Sequence, residues 1–182
     1  MKKNIFFISI LLIIIFFFFN NYFNSDTMKP EDFKGTEPTM NIEKYFEGPV
    51  KAWGLLQDRK GKVTRQFKAD MFGKFQNNVL TLEEEFFWTD GEEQKRVWKI
   101  KKIDEHNYIG TAPDVVGEAK GFSYGSAFKF EYDLMIPIKG KNIKISFDDW
   151  IFKQDDKVAI NRATLTKFGF KVGELTVFFQ KN

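Results

Sequence analysis

"FKFEYDLMI" (Phe128–Ile136) sets Phe128, Phe130, Tyr132, Leu134 and Ile136 at alternate positions, with Lys129, Glu131 and Asp133 between them. A period of two puts the apolar set on one face of a β-strand and the charges on the other. "NIKISFDDWIF" (Asn142–Phe152) repeats it, with Ile143, Ile145, Phe147 and Ile151 opposed to Lys144 and Ser146. Outward from this pair, the chain reads as strands between turn signals. "PVKAWGLLQ" leads to the turn "DRKG", and "KVTRQFKADMF" follows with a bend expected at Gly73. "VLTLEEEFFW" runs to Asp90-Gly91, a hairpin signal, and "EQKRVWKIKKI" returns to "DEHN". "NYIGTA" is short, and "GEAKGFSYGSAFKFEYDLMIPI" divides into two strands near Tyr124-Gly125. Gly140 and "QDDK" turn the chain again, into "VAINRATLTKF" and "KVGELTVFFQ". Roughly nine or ten strands, each joined to the next by a short turn, predict an all-β, antiparallel up-and-down barrel.

The same period decides what the acidic pairs can do. Asp148 and Asp149 are neighbours on one strand, so their carboxylates project to opposite faces and do not form a dyad. Asp148 is expected on the solvated face and Asp149 inside, opposite a buried arginine. Asp155 and Asp156 fall in a turn, where Asp serves the backbone.

Of the 182 residues, 28 are basic and 25 acidic. Lys2 and Lys3 supply two of the basic ones, which leaves 26 against 25 acids beyond the N-terminus. That balance gives no clustered basic face for nucleic acid. The absence of cysteine excludes disulfides, thiol nucleophiles and thiolate ligands. "MKKNIFFISILLIIIFFFFNNYFN" (residues 1–24) carries two lysines and then an apolar run, and from Ile5 to Phe23 a helix would span about 28 Å. We read it as a retained membrane anchor with the N-terminus cytoplasmic; a cleaved signal peptide is the alternative, although "NNYFNSDT" offers a poor cleavage site. Residues 25–40 read as a polar tether with Pro30, Gly35 and Pro38, and residues 41–182 as the barrel domain, entered through a short helical turn capped by Thr39.

Catalytic motifs fail on context. "GFSYG" (Gly121–Gly125) matches a nucleophile elbow, but no helix follows it and the one histidine, His106, precedes Ser123. One His without Cys does not supply a zinc ligand set, and no phosphate or dinucleotide fingerprint is present, so no cofactor or metal is implied.

"YFEGPVKAWGLLQDRKGKVTRQF", "RVWKIKKIDEHNYIGTAPDVVGEAKGFSYGSAFKFEYDL" and "SFDDWIFKQDDKVAINRATLTKFGFKVGELTVFF" resemble the bacterial domain-of-unknown-function family 3833, over about Asn41 to Gln180. The resemblance lends no activity. It implies a cell-envelope protein, often a lipoprotein in that family, yet this chain lacks the cysteine that lipid attachment requires. With the anchor, it implies a single-pass inner-membrane protein whose barrel lies in the periplasm, or a secreted periplasmic one if the segment is cleaved. "YFEGPVKAW" is similar to the Gly-x-Trp opening of lipocalins, with Gly48 and Trp53 set more widely apart.

The remaining signal is charge on apolar faces. Arg65 shares a face with Phe67 and Met71, Glu84 with Leu82 and Phe86, Arg96 with Trp98, and Asp149 with Phe147. Asn161 and Arg162 interrupt "VAINRATL". Turned inward, such charges cost several kcal/mol each unless paired. They form either an internal salt-bridge network or the floor of a pocket for a hydrophobic, amphipathic or anionic small molecule. The candidate ligand-binding residues are Trp53, Arg65, Glu84, Arg96, Trp98, Phe130, Asp149, Asn161 and Arg162, with no catalytic residue among them. A filled barrel that docks another envelope protein is the competing reading.

Overall fold

The computed structural model describes residues 13–14, 28–138 and 140–181. The expected N-terminal helix lies outside them, apart from the helical Ile13 and Ile14. Among the described residues no helix is long and apolar enough to cross a membrane.

Ten strands follow one another: β1 (Gly48–Asp58), β2 (Val63–Gln76), β3 (Val79–Trp88), β4 (Glu93–Lys102), β5 (Asn107–Thr111), β6 (Ala119–Tyr124), β7 (Ala127–Ile138), β8 (Lys141–Lys153), β9 (Val158–Lys167) and β10 (Phe170–Lys181). Each pairs antiparallel with the next, and β10 closes on β1 from Val50 opposite Lys181 to Asp58 opposite Gly173. Closure leaves no sheet edge to template aggregation. The alternation that predicts the strands is the one observed: on β2, Phe67, Ala69 and Met71 are buried and the residues between them exposed. Each large side chain buried this way contributes about 1.5–3 kcal/mol.

The strands are unequal, and that shapes the wall. β5 has 5 residues and β6 has 6, while the others have at least 10. β5 reaches only Lys99 of β4, and β6 pairs with β7 only as far as Glu131. Beyond those points the wall between β4 and β7 is completed by the connection from Ala112 to Glu118. Val116 donates its N–H to the Asp133 carbonyl at 2.9 Å, and Met135 donates to the Asp114 carbonyl at 3.0 Å.

One end of the barrel, the base, is plugged. The segment expected to be a free polar tether is packed from Phe33 onward. A 3-10 turn, Pro30–Phe33, lays the Phe33 ring 5.8 Å from Trp150 and 5.5 Å from Phe152. Met40 is 1 % exposed, and its carbonyl accepts from Ser123 Oγ at 2.6 Å. The short helix α1 (Ile42–Tyr45) then buries Ile42 and Tyr45 across the opening. Its N-cap is Asn41 rather than the expected Thr39, whose N–H and hydroxyl both donate to the Glu37 carboxylate. Gly73 is likewise not a bend: β2 runs through it, and a Cβ there would stand 1.9 Å from the Phe46 carbonyl. Only glycine lets the plug lie against the wall.

Candidate binding cavity

Above the plug, the barrel encloses a cavity of about 310 Å³ that opens toward the opposite end, the mouth. Its walls are aromatic because the inward positions of β3, β4 and β7 carry Phe86, Trp98, Phe130 and Tyr132. The Trp98 ring lies 5.1 Å from Phe130 and 5.2 Å from Tyr132, and Tyr132 stacks on Phe147 at 5.1 Å.

Two buried polar groups face this space. Tyr132 donates its hydroxyl to Asp149 Oδ2 at 2.6 Å, while Asp149 Oδ1 has no hydrogen-bond partner. Burial pushes the Asp149 carboxyl up to about 7, against the Tyr132 hydrogen bond that favours its charge. Across the cavity, Glu84 sits 3.7 Å from Arg96 Nη1, and its Oε2 also lacks a hydrogen bond. Burial raises Glu84 to about 7, although Arg96 pulls it down. Arg96 itself is turned toward the wall connection. Its Nη2 donates to Asp114 Oδ2 at 2.7 Å and its Nε at 3.1 Å, a forked pair. Burial works against the Arg96 charge, but Glu84 and Asp114 hold it above its ordinary value.

At the mouth, the Arg65 guanidinium lies 3.9 Å over the Trp88 ring. Asp90 and Glu92 of the β3–β4 turn clamp it, each at 2.8 Å. Trp88 Nε1 is buried and unpartnered.

Of the nine candidates, Arg65, Glu84, Arg96, Trp98, Phe130, Asp149 and Asn161 line the cavity. Trp53 and Arg162 do not. Trp53 is 44 % exposed on the outer wall beside Phe178, and Arg162 points out to Glu174 at 3.5 Å. The reason is the pleat: Ala52 and Asn161 take the inward positions next to them. The arginine expected opposite Asp149 is instead Tyr132. Sequence reasoning missed Asp114, which lies in a connection without periodicity. Tyr132 was legible as an inward residue, but nothing in the sequence marked it as the partner of Asp149.

Asp148 and Asp149 do point to opposite faces, and Asp148 meets Lys129 at 3.5 Å on the outside. Asp155 accepts from the N–H groups of Lys157 and Val158, as its turn position requires. Ser123 is committed to the Met40 carbonyl, and His106 Nδ1 lies 2.9 Å from the Ser123 carbonyl rather than near its hydroxyl.

The profile of the family described as protein of unknown function (DUF3833) matches residues 21–181. No curated protein matches the chain. Among solved structures, it is similar to a protein of unknown function of the DUF3598 family from Nostoc punctiforme, with a TM-score of 0.60 and 10 % identity. That match covers 80 % of this chain but 51 % of the other, so the chain spans about half the length of that relative. It is also similar to the S-type phycobiliprotein lyase CPES from Guillardia theta, with a TM-score of 0.55, 10 % identity, and 79 % and 93 % of the two chains covered. At such identity the likeness is one of fold.

Proposed function

The chain belongs to the DUF3833 family, and we propose that its barrel is a binding module for an amphipathic small molecule, an apolar body carrying a hydrogen-bond donor. One observation carries this reading: an aromatic cavity of about 310 Å³ lined by two buried carboxyl oxygens that lack a hydrogen-bond partner. Buried polar atoms are costly to leave unsatisfied, so a ligand that donates to Glu84 Oε2 or Asp149 Oδ1 gains what the empty site lacks. An anionic headgroup fits less well. Arg65 and Arg96, the cations expected to receive it, already serve Asp90, Glu92 and Asp114. Binding rather than catalysis is favoured because Ser123 and His106 are tied into the backbone of the base, away from the cavity.

Dye binding tests it. The fragment from Asp26 onward should bind N-phenyl-1-naphthylamine, whose N–H is a donor, in preference to the sulfonated anilinonaphthalene. Leu175→Trp, which fills the cavity wall near the mouth, should abolish the signal. At pH 8, where Asp149 is ionised, Asp149→Leu should weaken binding at least about ten-fold, the loss of one hydrogen bond to a charged acceptor. Equal binding of the two dyes would overturn the donor reading. No binding of either would promote the filled interaction barrel to first place.

We also take residues 1–24 to tether the barrel to the bacterial inner membrane, with the barrel in the periplasm. The two lysines ahead of the apolar run support that orientation. The full chain should stay in the membrane pellet after alkaline carbonate washing, while the fragment from Asp26 stays soluble. A mature N-terminus just after Ser25 would sink the anchor.

A further inference from the structure

The hairpin between β9 and β10 turns on Phe168 and Gly169, with φ of +52° and +79°. Two central residues at positive φ are the pattern of a type I′ turn, which favours Asn and Gly. The β2–β3 turn meets the same demand with Asn77 and Asn78, at φ of +51° and +60°. At the mouth end a bulky aromatic takes that strained position instead. Folding does not recover the cost, because Phe168 is 88 % exposed and its neighbour Phe170 is 77 % exposed. Val172 on the same strand and Ile138 on the neighbouring hairpin are also exposed.

The unpaired side-chain charge around this tip is positive, since Glu174 of β10 is taken up by Lys171 at 2.7 Å. Pairing of Asp58 with Gly173 brings the β1–β2 turn, with Arg59, Lys60 and Lys62, to one side of it. Pairing of Ser146 with Thr166 brings the start of β8, with Lys141, to the other. Lys167 lies 5.2 Å from the Phe168 ring. Among the described residues none of these five cations forms an ion pair, and Asp58 spends a carboxylate oxygen on the N–H groups of Lys60 and Lys62. Asp90 and Glu92 sit away from the tip on the β3–β4 turn, where they hold Arg65.

We propose that this tip docks the mouth of the barrel on an anionic lipid bilayer, with Phe168 and Phe170 entering the interface and the surrounding cations facing lipid phosphates. Aromatic side chains ringed by lysine and arginine are the chemistry that such a surface receives. The assignment stands on the tip alone and does not depend on what the cavity holds.

The absence of cysteine allows unique labelling. Full-length Phe170→Cys, labelled with an environment-sensitive nitrobenzoxadiazole dye, is reconstituted into phosphatidylcholine vesicles. Phosphatidylglycerol and an acyl-chain spin-label quencher are placed either in those vesicles or in vesicles added later. Insertion predicts a blue shift and quenching wherever phosphatidylglycerol is present, abolished by Lys167→Glu with Lys141→Glu. The same label on Asp156→Cys, in the β8–β9 turn at the base, should remain in water. A residue-170 label that stays water-like in both arrangements, or that responds equally without phosphatidylglycerol, overturns the proposal.

Discussion

Raising the pH from 5 to 8 is expected to destabilise the barrel, the reverse of ordinary acid denaturation. Asp149 and Glu84 have ordinary values of 3.8 and 4.5, and burial carries both to about 7. A carboxyl that binds its proton more tightly when folded stabilises the fold fully below its unfolded value. That contribution is lost as pH climbs through the folded value. Between pH 5 and 8 the loss is on the order of 2–3 kcal/mol for each carboxyl taken alone, and less than the sum for both because they repel one another. The carboxylates held low by surface partners, Asp133 and Glu174 among them, lose stability only as pH falls toward their depressed values, outside this window. Urea unfolding of the fragment at both ends of the range measures the difference. Asp149→Asn should remove about half of the dependence and be more stable than the parent at pH 8, since position 149 then buries no charge. Stability that is flat or rises from pH 5 to 8 would show that neither carboxyl is buried as described.

The sequence carried the barrel further than it carried the site, and the reason is physical. Alternation is local, so Phe128 to Ile136 reveals its strand and its inward face without reference to any other part of the chain. Short turns then leave an up-and-down meander as the simplest way to join so many strands. Packing across the barrel is not local. Trp53 looked like a wall residue because it is large and apolar. Yet β1 places small residues inward, and at Gly54 a Cβ would stand 2.2 Å from the Phe67 ring of β2. Large side chains of one strand fill the room left by the next, and a tryptophan turned inward at β1 would compete for it. The tether failed as a free segment for the same reason: Phe33 and Met40 find their partners more than 80 residues away, at Trp150 and Ser123. Asp114 is the clearest case. "TAPDVVG" reads as a loop, and nothing in it reveals that the loop completes a wall left open by two short strands.

That loop gives the second large effect. Arg96→Met is expected to cost about 3–5 kcal/mol, the range for removing one partner of a buried ion pair. The side chain is 14 % exposed and touches both Glu84 and Asp114. Without it, Glu84 loses the cation that opposes its desolvation, and the Ala112–Glu118 connection loses the forked contact that holds it to β4. Arg65→Met makes the control: Arg65 is 30 % exposed, and its partners Asp90 and Glu92 are more than half exposed. Water screens that pair, so the loss there should be far smaller. Adding Glu84→Gln to Arg96→Met should restore part of the stability, with a coupling above about 1 kcal/mol in the double-mutant cycle. Unfolding midpoints in urea give the energies. Limited proteolysis supplies a second readout, since Arg96→Met should expose Ala112–Glu118 to cleavage while Arg65→Met leaves it protected. Equal and small losses for the two arginines, with the connection uncut, would mean that Arg96 does not hold the wall closed and that its charge is free for a ligand after all.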